Sequence, residues 1–171
     1  MKWLEITKYC GNSLTKPSVV KGALSTLDAS ERELIFKGPL LVCLLLAGAD
    51  GEIDNREIRK AIEMARDQHW VKSSLHGFFQ EVATDFEDKL KVLMQAYPSS
   101  TDKRNEVISA ELSGLNELWS KLGKEFSEAY YEMLRYLAER IASSSGGFWG
   151  KITTEEAKLL DLPMLKNPSK K

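Results

Sequence analysis

The chain contains 171 residues, of which 43% are hydrophobic and 29% are charged, a size and composition typical of one folded domain. Because 24 Lys and Arg residues stand against 25 Asp and Glu residues, the net charge is −1 and supplies no basic field for a polyanion. We therefore expect no nucleic acid among its partners.

No segment has the length or position of a membrane or export signal. The longest apolar stretch, residues 39–49, has about eleven residues, whereas a membrane-spanning helix needs about twenty. It also begins too late for a signal peptide. The sequence holds 2 cysteines, and Cys43 lies in this stretch, where a buried thiol is more common than a disulfide to Cys10. These features predict a reducing, cytoplasmic location without membrane insertion.

Three parts are predicted along the chain: an N-terminal helical extension in residues 1–29, a helical domain in residues 30–165 and a frayed tail in residues 166–171. The extension is expected to hold two short helices. The first rests on a weak apolar pattern before residue 14, and the second follows Pro17, which suits a first helical turn.

The domain is predicted to open with a helix near Glu31, because Ser30 and Glu33 have the spacing of a capping box. The pair Gly38-Pro39 is expected to interrupt or kink that helix. Residues 40–47 are apolar on every side, which predicts a helix buried at the centre of the protein that ends at Asp50-Gly51.

Apolar residues at intervals of three and four predict the later helices. These helices are expected over residues 55–69, in a segment that runs to residue 97, and over residues 101–122 and 126–141. No segment alternates as a half-buried strand would. Long helices joined by short turns predict an all-α fold, a compact helical bundle.

Two turns share one pattern, in which Gly, Ile, an N-cap residue and Glu recur in step. They are Gly51-Glu52-Ile53-Asp54-Asn55-Arg56-Glu57 and Gly150-Lys151-Ile152-Thr153-Thr154-Glu155-Glu156. The recurrence indicates two pseudo-symmetric helix-turn-helix halves. Both turns also suit plain capping, in which Asp54 or Thr153 caps the next helix and the Glu completes a capping box.

The first turn matches the second half of a calcium-binding loop. The first two ligand positions of such a loop would fall on Leu46 and Gly48, which have no side-chain oxygen, so a full EF-hand is excluded. A carboxylate cluster remains that is suited to weak binding of Ca2+ or Mg2+. Its members are Asp50, Glu52, Asp54 and Glu57.

At these residues the chain resembles the tellurite-resistance TerB-like family, whose hallmark is an apolar helix ending in Ala-Asp-Gly-x-Ile-Asp-x-x-Glu, here residues 49–57. Residues 141–160 resemble the glycine-rich closing segment of some members. The resemblance spans roughly residues 31–165 and implies an all-helical fold of two pseudo-symmetric halves. It also implies a metal site in acidic turns and links to stress responses and membrane-associated protein assemblies, with no enzymatic activity.

On the same basis Asp50, Asp54 and Glu57 are implied metal ligands. The second turn departs from the pattern, because Trp149 and Thr153 occupy the positions of Asp50 and Asp54, so a symmetric two-turn site is doubtful.

Other candidate residues give weaker patterns. His69 and His76 lack the further ligands that a zinc site needs, and neither cysteine has a histidine close in sequence. Phe148 and Trp149 lie in a glycine-rich turn and are expected either to fill the core or to protrude as an anchor for a partner.

The sequence therefore predicts a non-enzymatic, TerB-like accessory protein that binds a protein partner, with a weakly bound divalent cation as an optional regulator. One alternative is a small metal-dependent hydrolase that uses the same carboxylates, which would also need a substrate pocket. The other is a pure scaffold in which both turns are only caps.

Overall fold

The computed structural model describes residues 19–47, 55–67, 69–143 and 154–170. The described ranges contain helices and no β-strand, which confirms the predicted all-α class. The helices are α1 (Val19–Ser25), α2 (Ala29–Leu46), α3 (Asn55–Arg66), α4 (His76–Ala83), α5 (Phe86–Ala96), α6 (Thr101–Ser113), α7 (Leu115–Leu122), α8 (Lys124–Ala142) and α9 (Thr154–Leu160). A 3₁₀ turn, Ser73–Leu75, precedes α4.

Helix α2 is the centre of the fold. Its second half is buried from Gly38 onward, and it packs against every helix from α3 to α9. Helix α8 is its main partner and supplies the buried face that includes Tyr130, Leu134 and Leu137. The prediction of a fully buried central helix is confirmed, and the burial of Cys43 within it is also confirmed.

The start of α2 differs from the prediction by two residues. Its N-cap is Asp28, whose carboxylate accepts from the Glu31 N–H at 2.9 Å, while the Asp28 N–H donates to the Glu31 carboxylate at 3.0 Å. The capping box predicted at Ser30 and Glu33 is therefore wrong. Ser30 instead donates its hydroxyl to the Asp28 carboxylate at 2.7 Å.

The pair Gly38-Pro39 does not interrupt α2, which runs as one helix from Ala29 to Leu46. Two other predicted helices are each divided in the structure. The segment that runs to residue 97 breaks at Thr84-Asp85, where Asp85 has a φ of 55°. The segment over residues 101–122 is divided at Gly114 into α6 and α7.

The ends of the chain were predicted as a helical extension and a frayed tail. Helix α1 corresponds to the second predicted helix of the extension, whereas the first lies outside the described residues. Residues 161–170 are described and lie against α7 and α8, where Leu162 and Leu165 are buried. No helix within the described ranges is long and apolar enough to cross a membrane.

Candidate functional site

The acidic turn predicted to hold a cation is described only at its last member. Asp50, Glu52 and Asp54 lie outside the described residues, as do Phe148 and Trp149 of the second turn. Within the ranges that the structure covers, no group of three or more His, Cys, Asp and Glu side chains comes together. The structure therefore places Glu57 and leaves the assembly of the acidic cluster a prediction.

Glu57 lies in the first turn of α3, and its side chain is 3% exposed. It belongs to the buried face of the helix, because Ala61, Met64 and Ala65 follow it at intervals of four, seven and eight residues and are also buried. Removing a carboxylate from water costs free energy unless hydrogen bonds or a positive charge compensate it. The burial of Glu57 sets it apart from an ordinary surface acid.

A cleft with a volume of about 740 Å³ lies where the end of α3 meets the outer face of α8. Trp70 and Tyr136 form its aromatic part, with their ring centroids 5.4 Å apart and the rings stacked at 22°. Tyr136 is 41% exposed, so the pair presents apolar surface to solvent.

Trp70 is fixed in position by three contacts. Helix α3 ends at Arg66, four residues before Trp70. The indole N–H of Trp70 donates to the Met64 carbonyl in the last turn of this helix at 3.0 Å. The indole and the Phe79 ring pack in a T-shaped arrangement at a centroid distance of 4.9 Å. Because the ring is held by a hydrogen bond and by both aromatic neighbours, it loses little conformational freedom when a partner binds.

The charges around the cleft are mixed and largely paired. Lys60 lies 3.5 Å from Glu63, and Arg66 lies 3.3 Å from Glu87. Arg140 lines the cleft and forms no ion pair within the part of the chain that the structure describes. The cleft therefore offers a stacked aromatic pair beside one guanidinium that is available for an acidic group.

Lys37, Tyr97 and Glu111 form a polar cluster between α2 and α6 in which the side chains contact one another. The Lys37 ammonium lies 2.6 Å from the Glu111 carboxylate and 5.2 Å from the centroid of the Tyr97 ring. The Tyr97 hydroxyl donates to the other Glu111 oxygen. Burial and the neighbouring carboxylate raise the pKa of Tyr97, so the phenol stays protonated as a donor. These three groups satisfy one another and join the end of α5 to α2 and α6.

The histidines and the described cysteine form no catalytic arrangement. Burial raises the pKa of the Cys43 thiol far above its ordinary value, which leaves it a poor nucleophile. His69 is exposed on the rim of the cleft, and His76 lies half-buried at the start of α4. Neither joins a cluster of metal-ligating side chains in the described ranges.

The Trp70–Tyr136 pair was not predicted from the sequence. The helical spacing of the aromatic residues Trp119, Tyr130, Tyr131 and Tyr136 predicts that they fill the core, which is confirmed for Tyr130 and Tyr131 and wrong for Tyr136. A usable signal was Trp70 itself, a large aromatic residue that falls after the end of the α3 periodicity. A tryptophan outside any helical stripe is a candidate surface anchor.

No family model, curated protein or solved structure matches the chain.

Proposed function

We propose that this protein is a non-enzymatic, cytoplasmic binding module that recognises a protein partner through the cleft between α3 and α8. The observation that carries the proposal is the stacked Trp70–Tyr136 pair, which is held in place by the Met64 carbonyl and Phe79 and is open to solvent at Tyr136. Tryptophan, tyrosine and arginine are the residues most enriched among those that dominate binding energy at protein interfaces.

The partner is expected to place an apolar side chain against the aromatic pair and a carboxylate near Arg140. Arg140 lines the same cleft, and a guanidinium that is not already paired gains most from a carboxylate that arrives with the partner. The mixed charges of Lys60, Glu63 and Asp67 then form a polar rim.

The partner interaction is tested by placing a photo-crosslinking amino acid at residue 136 in cells. Val107 is the matched control position, because it is 44% exposed, similar to the 41% of Tyr136, and lies on α6 away from the cleft. The proposal expects a discrete crosslinked protein from residue 136, lost when Arg140→Glu is added, and none from residue 107. Equal crosslinking from both positions, or none from residue 136, would reject it.

We propose further that the module belongs with TerB-like accessory proteins of two pseudo-symmetric halves, and that a weakly bound Ca2+ or Mg2+ at the turn between α2 and α3 regulates it. The acidic sequence of residues 50–57 supports this, together with the burial of Glu57 at the start of α3. A cation bound by these carboxylates would join the acidic turn to the start of α3.

The cation is tested by calorimetric titration of CaCl2 and MgCl2 into the wild type, Asp50→Ala and Glu57→Gln. Asp67→Asn is the matched control, since it removes an exposed carboxylate at the other end of α3. We expect the wild type and Asp67→Asn to bind the cation. Asp50→Ala and Glu57→Gln should bind it at least about tenfold more weakly. No heat of binding in the millimolar range would remove the cation.

A further inference from the structure

The segment that follows α9 is bound to α7 by hydrogen bonds that engage its backbone. The Asn116 side-chain amide donates to the Met164 carbonyl at 2.9 Å and accepts from the Lys166 N–H at 2.7 Å. The Trp119 indole N–H donates to the Lys166 carbonyl at 3.0 Å. We call residues 161–166 the strap. Three bonds from two side chains of one helix thus hold two strap residues through groups that every non-proline residue carries.

Two leucines anchor the strap to the core. Leu162 is fully buried and Leu165 is 6% exposed, whereas Pro163 between them is exposed. The Leu165 N–H donates to the Leu162 carbonyl at 2.8 Å, so the four residues form a turn that places both leucines on the same side. The surface that holds the strap therefore accepts a compact Leu-Pro-x-Leu turn, because it buries the two leucines and forms hydrogen bonds with the backbone.

Two features weaken the binding of the strap, although the Asp161 carboxylate at its start lies 2.7 Å from the Arg135 guanidinium. Leu162 has a φ of 46°, a left-handed conformation that is unfavourable for a leucine. Beyond Lys166, a recess of about 340 Å³ separates Asn167 and Ser169 from the outer face of α8. The strained backbone at Leu162 and the recess beyond Lys166 reduce the free energy with which the chain holds its own strap.

We propose that the surface of α7 around Asn116 and Trp119 is a peptide-binding groove that the chain fills with its own strap, and that a protein partner carrying a Leu-Pro-x-Leu turn binds by replacing it. The occupant is inferred from the strap itself, because the groove holds its backbone through Asn116 and Trp119 and buries its two leucines, while Pro163 and Lys166 are exposed. A segment of another protein with the same turn meets every one of these contacts. Such exchange makes the strap an autoinhibitory element.

The test uses the full chain and a fluorescein-labelled peptide with the sequence of residues 161–170, followed by fluorescence anisotropy. In the variant Leu162→Ala/Leu165→Ala the strap loses both anchors, so the peptide is expected to bind at least about tenfold more tightly than to the wild type. Adding Asn116→Ala to that variant is expected to remove the gain. A peptide with both leucines replaced by alanine is expected not to bind.

A second variant keeps the test decisive if the double leucine variant does not fold. Lys166→Pro removes the N–H that the Asn116 side chain accepts and leaves both leucines in place. It is also expected to bind the peptide more tightly than the wild type does. Folding of each variant is checked by circular dichroism.

Three results would overturn the proposal. They are equal peptide affinity for the wild type and the folded strap variants, no binding to those variants, and affinity that Asn116→Ala leaves unchanged. Light scattering of the wild type provides a separate test of the occupant. A concentration-dependent dimer that disappears in Leu162→Ala/Leu165→Ala would assign the groove to a second copy of this chain instead.

Discussion

The hydroxyl of Tyr130 donates a hydrogen bond of 2.7 Å to the backbone carbonyl of Ile35. In a regular helix this carbonyl would accept from the N–H four residues later, but that residue is Pro39, which has no N–H. Tyr130, on α8, therefore supplies the donor that α2 lacks. The contact explains how α2 passes through a proline as one helix in the middle of the core.

Removal of this hydroxyl is expected to destabilise the fold. Tyr130→Phe leaves the buried Ile35 carbonyl without its donor and should lower the free energy of unfolding by about 1–3 kcal/mol. The measurement is urea denaturation followed by circular dichroism. Tyr136→Phe is the control, because this exposed tyrosine should change stability by less than about 0.5 kcal/mol.

A double-mutant cycle with Pro39→Ala assigns the effect to the missing amide. Alanine at residue 39 restores an N–H for the Ile35 carbonyl, so Tyr130→Phe should cost at least about 0.5 kcal/mol less in that background. Equal costs in the two backgrounds would mean that the hydroxyl does not substitute for the amide.

Gly38 is required because the Tyr130 hydroxyl lies against its backbone. A Cβ at residue 38 would stand 2.2 Å from the hydroxyl oxygen, so Gly38→Ala must displace Tyr130 or α2 and should destabilise by about 1–3 kcal/mol. Gly22→Ala is the control, since a Cβ there meets nothing within 4 Å and should be neutral or stabilising. In a Tyr130→Phe background, Gly38→Ala is expected to cost less; an undiminished cost would reject the contact as the cause.

The sequence predicted the helices whose apolar periodicity is strong, and it failed where that periodicity continues across a break. Val82, Phe86 and Leu90 keep intervals of four residues, yet the chain turns between α4 and α5 because Asp85 adopts a left-handed backbone. The proline in α2 shows the opposite error. Pro39 by itself predicts a break in the helix. The hydrogen-bond donor that the Ile35 carbonyl lacks comes instead from the Tyr130 hydroxyl, which is distant in sequence.

The candidate surfaces could be predicted less well than the fold, because they depend on contacts between distant residues. Trp70 and Tyr136 meet only after the turn beyond α3 reaches α8, and Asn116 binds residues 164 and 166. Glu57 was singled out from the sequence because the acidic motif is local, and its role as a metal ligand stays a prediction. Its burial was not predicted, although it shares a helical face with Ala61 and Ala65.

The capping box of α2 predicts a loss of stability in acid. The Glu31 N–H and the Ser30 hydroxyl hold the pKa of the Asp28 carboxyl below its ordinary value, and Lys121 does the same for the Glu31 carboxyl, assisted by the Asp28 N–H. A carboxyl whose pKa is lower in the folded state stabilises the fold above its unfolded pKa, and this contribution is lost as the pH falls through the folded pKa.

The melting temperature of the wild type should therefore fall more steeply between about pH 5 and pH 3 than that of Asp28→Asn/Glu31→Gln. This variant keeps a side chain that can cap at each position but has no charge to titrate. Thermal melts across this range measure the difference between the two proteins, in which the other carboxyl groups cancel. Parallel curves would show that the capping box carries no pH-dependent stability.

Cys43 provides a probe of the core around α2. Its thiol is completely buried and burial raises its pKa, so reagents reach the thiolate only when the core opens. In a Cys10→Ser background, Ellman's reagent should label Cys43 at least about a thousandfold more slowly in buffer than in denaturant, because a stable domain is unfolded less than about one part in a thousand of the time. The Tyr130→Phe variant should accelerate this labelling if opening of α2 limits access, since it weakens the contact that joins α2 to α8. Labelling in buffer within tenfold of the denatured rate would show that α2 is not the closed centre of the fold.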